Sequence, residues 1–343
     1  MATPTNHQWR LRERPVGPTG PSHFTWAESP IPHAGDGQFV VRNEWISLDP
    51  HTAYDLRTSE VSRGSIALGA VVPSLAVGRI VESRRPGFAV GDRVLGVFGW
   101  EEYTLTDGQG AFPTTKLADA IPAPLALGAL GLTGLTAYFG TLEVGQIRRG
   151  ETLLVSGAAG AVGSVAAQIG RIEGLRVVAV AGGPEKCAWL RAEARIPEVI
   201  DYRNEDLAAR VAELCPKGVD VVFDNVGGPF LDVGLARLRR RGRVVLCGAI
   251  SRYEAETPPP GPKNYANLIL RHGRMEGFLV TDYVDRFPEA QRALSGWLRA
   301  GEIRTKEDVV VGLAETPRAF ARLFRGENFG KQLVRLDPGA SDR

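Results

Sequence analysis

Residues 46–54, ISLDPHTAY, place a histidine and a tyrosine directly after an Asp-Pro turn. Histidine side chains change charge near neutral pH, so His51 is a candidate to transfer a proton or to stabilise an oxyanion. It can also bind a metal, or simply fill space at the edge of a pocket. Tyr54 supplies a second hydroxyl close by. What the rest of the chain binds decides between these roles.

The sequence argues against a catalytic zinc ion. Such an ion needs three Cys, His, Asp or Glu ligands and one open position. Cys187, Cys215 and Cys247 all fall in the second part of the chain without CxxC spacing, and His51 lacks a second well-placed soft ligand. We therefore expect no metal. Widely spaced cysteines also predict free thiols and a cytoplasmic location.

The strongest motif is LLVSGAAGAVGSVAAQIG, an apolar strand that runs into Gly157, Gly160 and Gly163 and then into a helix of small residues. A dinucleotide pyrophosphate needs this close backbone approach and the free N–H groups of a helix N-terminus. The spacing has one residue more than strict GxGxxG, and tight strand–helix packing without a ligand is the alternative. The strand before and the helix after favour a dinucleotide site.

The end of the next strand indicates which dinucleotide is bound. NAD sites usually place an Asp or Glu there, about 20 residues on, for the ribose 2′-hydroxyl. Here the sequence reads VAGGPEK, so glycines leave room for a 2′-phosphate and Lys186 could pair with it. An exposed helix lysine is the alternative. The sequence favours NADP, with Tyr202 and Arg203 as further candidates near the adenosine.

The elements that must position these residues form two regions. Residues 1–124 contain short alternating strands such as 38–48, 76–84 and 92–105 and read as a small β-rich domain, to which a strand–helix–strand tail over 302–343 returns. Residues 125–301 alternate apolar strands with helices, which predicts a doubly wound parallel sheet. DNVGG (224–228) and CGAISRY (247–253) end two of its strands, and 252–267 reads as a proline-rich loop. The fold class is α/β.

Composition excludes some partners. The 343 residues carry a formal net charge of +2 and are 43% hydrophobic, which argues against a nucleic-acid or anionic-membrane partner. The basic run RLRRRGR (237–243) reads as a solvated helix end before a buried strand. The first ten residues show no signal-peptide pattern, and no apolar run approaches the length of a membrane span. We expect a small-molecule substrate.

The motifs together resemble those of the zinc-independent medium-chain dehydrogenases/reductases, in the branch of leukotriene B4 12-hydroxydehydrogenase/prostaglandin reductase, alkenal double-bond reductase and curcumin reductase. The matching segments are RPVG (14–17), GLTGLTAYFG (131–140), GAAGAVGS (157–164), AGGPEK (181–186), DNVGG (224–228), CGAISRY (247–253) and GENFGK (326–331). The resemblance implies a GroES-like catalytic domain with a Rossmann domain, NADPH as cofactor, a homodimer, and hydride addition to the β-carbon of an α,β-unsaturated carbonyl.

The resemblance also implies a set of cofactor contacts, carried over by motif. These are Gly160, Ala161, Val162, Gly163, Ser164, Lys186, Tyr202, Asn225, Cys247, Gly248, Ala249, Ile250, Ser251, Tyr253, Phe278, Leu279, Val280 and Asn328. Asn225 on its own could be a plain turn residue.

The chain departs from the family at the turn that opened this section. Relatives read Asp-Pro-Tyr-Met-Arg, and here the sequence is Asp-Pro-His-Thr-Ala, so His51 replaces the tyrosine that faces nicotinamide and substrate. Tyr54 could substitute for that tyrosine, and a second family tyrosine is kept as Tyr253. We expect His51, Tyr54 and Tyr253 to be the catalytic candidates.

Reduction of an α,β-unsaturated carbonyl leaves an enolate that must be stabilised and protonated. If no proton donor is well placed, the enolate can attack within the substrate, so a reductive cyclase is an alternative. The remodelled turn and GAVVPSLAVG (69–78) fit a specialised substrate of that kind. A non-catalytic NADPH-binding protein and a quinone or carbonyl reductase are further alternatives.

Overall fold

The computed structural model describes residues 5–58, 65–110, 112–257 and 259–336. The chain divides into two units, the first made of residues 1–127, 307–328 and 332–343 and the second of 128–306 and 329–331. Residues 1–4 and 337–343, at the two ends of the predicted catalytic domain, lie outside the described residues, as does Pro258 of the predicted loop.

The first unit is built on antiparallel β-strands. They are β1 (Thr5–Leu11), β2 (Phe24–Pro30), β3 (Phe39–Ser47), β4 (Pro73–Ser83), β5 (Arg93–Gly99), β6 (Tyr103–Thr106), β7 (Thr115–Lys116), β14 (Glu307–Val311) and β15 (Lys331–Arg335). β1 pairs with β2, and the others form a seven-stranded sheet ordered β14-β15-β3-β4-β5-β7, with β6 on β3. Lys331, at the start of β15, belongs to the second unit.

Three helices of the first unit pack on this framework: α1 (Thr52–Arg57), α2 (Ala123–Leu127) and α10 (Thr316–Phe324). Phe320 of α10 lies edge-on to the fully buried Trp100, with ring centroids 5.4 Å apart. Leu127 of α2 joins a cluster with Val77 and Leu333. The strand, helix and strand of the tail therefore belong to this unit, except for Lys331.

The second unit is a six-stranded parallel sheet ordered β10-β9-β8-β11-β12-β13. Its strands are β8 (Thr152–Val155), β9 (Arg176–Ala181), β10 (Glu198–Asp201), β11 (Val219–Asp224), β12 (Leu238–Leu246) and β13 (Arg274–Gly277). In chain order this is 3-2-1-4-5-6, the arrangement of dinucleotide-binding sheets, whose order reverses between β8 and β11. The predicted α/β fold class, with a doubly wound sheet and a β-rich domain, is confirmed.

Helices cover both faces of this sheet. They are α3 (Leu132–Phe139), α4 (Ala161–Ile172), α5 (Pro184–Ala192), α6 (Leu207–Leu214), α7 (Gly228–Ala236), α8 (Asn267–Arg271) and α9 (Phe287–Arg299). Alternate strand residues enter two separate clusters, with Val177 and Phe223 in one and Val178 and Val222 in the other. Strands buried on both faces explain the continuous apolar runs in the sequence.

The basic run is not the helix end that the sequence predicts. Leu238 and Arg243, both in β12, pair with Val219 and Val221 of β11, so four residues of β12 lie opposite a single residue of β11. This bulge, residues 239–242, pushes its three arginines outward, and Arg241 adopts a left-handed φ of 61°. The neighbouring strand decides this conformation, which a charge run cannot predict.

Two further segments differ from the sequence patterns. The apolar segment MEGFLV (275–280) has the pattern of a strand, but β13 stops at Gly277. Phe278 turns toward Tyr283, with ring centroids 6.4 Å apart, and a 3₁₀-helix runs over Val280–Arg286. The patterns also did not predict α9, although its fully buried Ala290 and Leu294 have helical spacing.

Candidate functional site

The phosphate loop lies where β8 passes into α4. Gly157 has a left-handed φ of 55°, and its carbonyl accepts the N–H of Gly160 at 2.9 Å. Gly160 caps α4, whose first-turn N–H groups have no acceptor within the helix. A Cβ on Gly163 would stand 2.3 Å from the Gly157 oxygen. Gly163 therefore lets the start of α4 pack directly on the Gly157 turn, and the first-turn N–H groups of Ala161 and Val162 lie at the helix N-terminus, where a pyrophosphate site would need them.

Gly330, far along the chain, also supports this loop. The N–H of Gly330 donates to the carbonyl of Ala159 at 2.9 Å. Gly330 has φ 79°, and a Cβ there would stand 1.8 Å from the Lys306 oxygen. Gly330 belongs to the GENFGK motif, but its role depends on a partner, Ala159, that is distant in sequence. Asn328, the residue of this motif predicted to contact the cofactor, belongs to the first unit.

Two glycines follow β9, where an NAD site would have an acid. A Cβ on Gly182 would lie 2.8 Å from the Tyr202 ring and 3.0 Å from Nε of Arg203, so these side chains reach across the end of β9. Lys186 stands in the first turn of α5 and is half-buried. The structure brings the predicted Gly182, Tyr202 and Arg203 together.

Buried polar groups fix the point where the strand order reverses. Asp224 is 0% exposed and accepts from Ser156 Oγ at 2.8 Å and from the N–H groups of Val226 and Gly227. Burial raises the pKa of Asp224. Nδ2 of Asn225 donates to the Ser156 carbonyl at 2.7 Å, which joins the ends of β8 and β11. Asn225 therefore has a structural role, and its partner Ser156 was not among the residues predicted from the sequence.

The segment after β12 is tied to the same point. The N–H groups of Cys247 and Gly248 donate to the carbonyl of Asp224 at 2.9 and 3.1 Å. Burial raises the pKa of Cys247 to about 12, so the thiol is neutral at physiological pH and is a poor nucleophile. Ser251 Oγ donates to the carbonyl of Val226 at 2.6 Å, and Ile250 N donates to the carbonyl of Asn225 at 3.3 Å.

Tyr253 closes this segment. Its hydroxyl oxygen accepts the N–H of Ala249 at 3.2 Å, and burial raises its pKa. The phenol is therefore protonated at neutral pH and keeps its own proton to donate. Of the remaining predicted contacts, Phe278 and Val280 are half-buried and Leu279 is 68% exposed.

The other two catalytic candidates lie in the first unit. His51 is exposed and immediately precedes α1, where its carbonyl accepts the N–H of Tyr54 at 2.9 Å. Tyr54 is 47% exposed, whereas Thr52 and Ala53 between them are buried and anchor the turn. Burial raises the pKa of the nearby Asp55, which the charge of His51 partly offsets. The anchored turn presents both side chains outward.

Among the residues that the structure describes, no group of three or more His, Cys, Asp or Glu could hold a metal ion. Within the same residues, no helix is both long and apolar enough to cross a membrane.

Known proteins of similar sequence show which family has this architecture. Residues 7–114 match the model of an N-terminal domain of oxidoreductases, and residues 161–296 match the model described as zinc-binding dehydrogenase. NADPH-dependent curcumin reductase of Escherichia coli is 36% identical over 337 residues, which cover 96% of this chain and 97% of that protein. The NADP(+)-dependent 2-alkenal reductase of Nicotiana tabacum is 39% identical over 304 residues, 88% of each chain.

A solved structure gives the same result. CurA of Vibrio vulnificus, crystallised in complex with NADPH, superposes with a TM-score of 0.91 at 35% identity, covering 97% of this chain and 100% of that one. With relatives this similar over nearly its whole length, the chain belongs to the zinc-independent medium-chain dehydrogenase/reductase family.

Proposed function

We propose that this protein is an NADPH-dependent reductase that adds hydride to the β-carbon of an α,β-unsaturated carbonyl compound. The observation that carries the proposal is the near full-length relation to reductases named for NADPH and for curcumin or 2-alkenals. Those relatives give no support to a reductive cyclase or a non-catalytic binding protein, and we propose neither.

The residues present fit NADPH. The first turn of α4 offers its N–H groups to the pyrophosphate, and Gly183, where a Cβ would meet nothing within 4 Å, leaves open space after β9 for a 2′-phosphate. A guanidinium and an ammonium from Arg203 and Lys186 supply positive charge at the end of β9. When bound, the cofactor supplies the hydride from its nicotinamide ring.

The protein must then stabilise and protonate the enolate. Tyr253 is suited to donate a hydrogen bond, because its hydroxyl accepts the N–H of Ala249 and retains its proton. His51 is the candidate for proton transfer, because an imidazole changes charge near neutral pH. Tyr54, on the same exposed side of the turn, is the candidate for orienting the substrate carbonyl.

The test is NADPH consumption with a panel of enals, enones, quinones and saturated ketones, with products identified by mass spectrometry and NMR. We expect enones and enals to give saturated carbonyl compounds. Consumption with quinones or saturated ketones alone would overturn the proposal.

His51→Phe measured across pH separates a chemical role from space filling. We expect turnover to fall and its pH dependence to change. His33→Phe is the matched control, because His33 is an exposed histidine of the same unit, paired with Glu82. An unchanged pH profile for His51→Phe would remove His51 from the chemistry.

We further propose a homodimer that forms through β13. This strand ends the sheet order and pairs only with β12 among the described strands. Ile269, Leu270 and Leu279 near it are 76%, 72% and 68% exposed, an apolar surface that a partner copy would cover. Leu270→Glu should shift the mass measured by light scattering to a monomer, whereas Val90→Glu, at an equally exposed site of the first unit, should not. A monomeric unmodified protein would refute this.

Two other predictions stay part of the proposal. Residues 1–124 and 302–343 are assigned to the catalytic domain and 125–301 to the NADP-binding domain, although residues 125–127 lie in the first compact unit and residues 302–306 and 329–331 lie in the second. A cytoplasmic location is proposed because Cys187, Cys215 and Cys247 are free thiols, which a reducing compartment preserves.

A further inference from the structure

The carboxylate that ends β10 lies beside the end of β9. Asp201 pairs in register with Ala181, the last residue of β9. Its Oδ1 accepts two backbone N–H groups, from Gly183 at 2.8 Å and from Arg203 at 3.1 Å. One oxygen therefore ties together the loop after β9 and the loop after β10.

The rest of Asp201 is held equally firmly. Its Oδ2 accepts from Nδ2 of Asn204 at 2.8 Å, and its own N–H donates to Oε1 of Glu205 at 2.8 Å. Glu205 in turn pairs with Arg210 at 2.6 Å. Asp201 is 9% exposed, so this network is a fixed part of the fold rather than a mobile surface contact.

The two tied loops carry the groups around the end of β9. Gly183 adopts φ 95°, which only glycine tolerates easily, and it caps α5 with Lys186 in the first turn. Tyr202 and Arg203 lie across Gly182 at the distances given above. In dinucleotide folds the adenosine ribose and its 2′-substituent bind at this strand end.

We propose that Asp201 is a positioning residue for cofactor choice: it holds the loops of Gly183 and Arg203 in the arrangement that accepts a 2′-phosphate. In NAD sites a carboxylate at the neighbouring strand end faces the ribose and binds its hydroxyls. Here both carboxylate oxygens face protein donors instead. The inference rests on the proposed use of NADPH and adds a residue that none of the sequence motifs identified.

Electrostatics agree with this geometry. Burial alone would raise the pKa of Asp201, but hydrogen bonds from Gly183, Asn204 and Arg203, and the charge of Arg203, outweigh it and lower the pKa. The carboxylate is therefore ionised at neutral pH. Three N–H donors compensate its charge locally, which limits its repulsion of a phosphate, and Arg203 and Lys186 add positive charge to the same region.

The test compares the Kd values for NADPH and NADH, measured by cofactor fluorescence, in Asp201→Ala, Asp201→Asn and the unchanged protein. We expect Asp201→Ala to weaken NADPH binding by about tenfold while NADH binding stays the same. The substitution removes the charge-assisted hydrogen bonds that hold the N–H groups of Gly183 and Arg203 in place. Asp201→Asn retains an Oδ1 acceptor, and Asn204 can rotate its amide to match, so its NADPH to NADH ratio should lie between the other two.

Asp206→Ala is the matched control. Its carboxylate lies in the same loop but caps α6 by accepting the N–H of Ala209 at 2.7 Å, so its loss should lower Tm without changing the ratio. A double-mutant cycle with Arg203→Ala should be non-additive if Asp201 acts through Arg203.

Three results would overturn the inference. The ratio could stay unchanged in a folded Asp201→Ala protein. NADPH and NADH could weaken equally, which would mean a general structural role. Asp201→Asn could bind NADPH more tightly, which would mean that the carboxylate opposes the phosphate. Absence of NADPH binding in the unchanged protein would instead remove the proposed cofactor itself, and the unchanged protein is therefore measured first.

Discussion

Gly163→Ala is the change that most directly perturbs the phosphate loop. The added Cβ would stand 2.3 Å from the Gly157 oxygen and 2.8 Å from its carbonyl carbon. Real Cβ atoms essentially never come closer than 3.0 Å, so the start of α4 and the Gly157 turn must separate by about 0.7 Å. The left-handed φ of Gly157 restricts how that turn can move.

The magnitude follows from this displacement. Overpacking of a tight contact costs about 1–3 kcal/mol, and the better helix propensity of alanine returns up to about 1 kcal/mol. Because the 2.3 Å contact lies far inside the normal limit, the upper half of that overpacking range applies, and we expect a net loss of about 1–2 kcal/mol of unfolding free energy. The first-turn N–H groups of α4 move with the helix, and a weakened hydrogen bond to a phosphate costs about 1.5 kcal/mol, so NADPH affinity should fall about tenfold.

The assay is urea unfolding together with a fluorescence titration of NADPH. Gly296→Ala in α9 is the matched control, because a Cβ there meets nothing within 4 Å. It should stabilise the protein by about 0.5–1 kcal/mol and leave NADPH affinity unchanged. If Gly163→Ala bound NADPH as tightly as the unchanged protein and unfolded at the same urea concentration, the reasoning about this loop would be refuted.

Three other predictions test separate parts of the account. Tyr253→Phe removes the hydroxyl that accepts the N–H of Ala249, and a hydrogen bond of this kind contributes about 0.5–1.5 kcal/mol. The Kd for NADPH should therefore rise by up to about tenfold. An unchanged Kd and an unchanged kcat would contradict this prediction. Because the pKa of Asp201 is lowered in the folded protein, its contribution to stability is present above its unfolded pKa of about 3.9 and is lost as pH falls through the folded value. Thermal unfolding should therefore show Asp201→Asn losing less stability than the unchanged protein below about pH 4, and equal losses would count against it. Dialysis against EDTA should leave turnover intact, with no stoichiometric zinc by metal analysis; activity restored only by zinc would refute a metal-free mechanism.

Much of the second unit could be predicted from local sequence. A strand, three glycines and a helix of small residues specify the phosphate loop, because backbone approach and helix N–H groups depend on neighbours in the chain. The paired glycines after β9 predicted room for a phosphate on the same grounds. Alternating apolar strands and helices predicted the parallel sheet.

What could not be predicted depends on residues distant in sequence. Gly330 supports Ala159 through a hydrogen bond that no local pattern reveals, and the Asp201 carboxylate accepts the N–H of Gly183 in the loop after another strand. The side chains of Arg239, Arg240 and Arg241 are exposed because the register of β12 with β11 contains a bulge at these residues. Each of these features is decided by contacts between chain segments that are distant in sequence, which a local pattern does not show.

Hydride transfer to the β-carbon can be tested with NADPH that carries deuterium at nicotinamide C4. An enone is reacted with each stereoisomer of the labelled cofactor, and the position of the deuterium in the product is determined. We expect NMR of the product to show that one stereoisomer delivers deuterium to the β-carbon and that solvent supplies the hydrogen at the α-carbon. Deuterium at the carbonyl carbon, with the double bond intact, would contradict it.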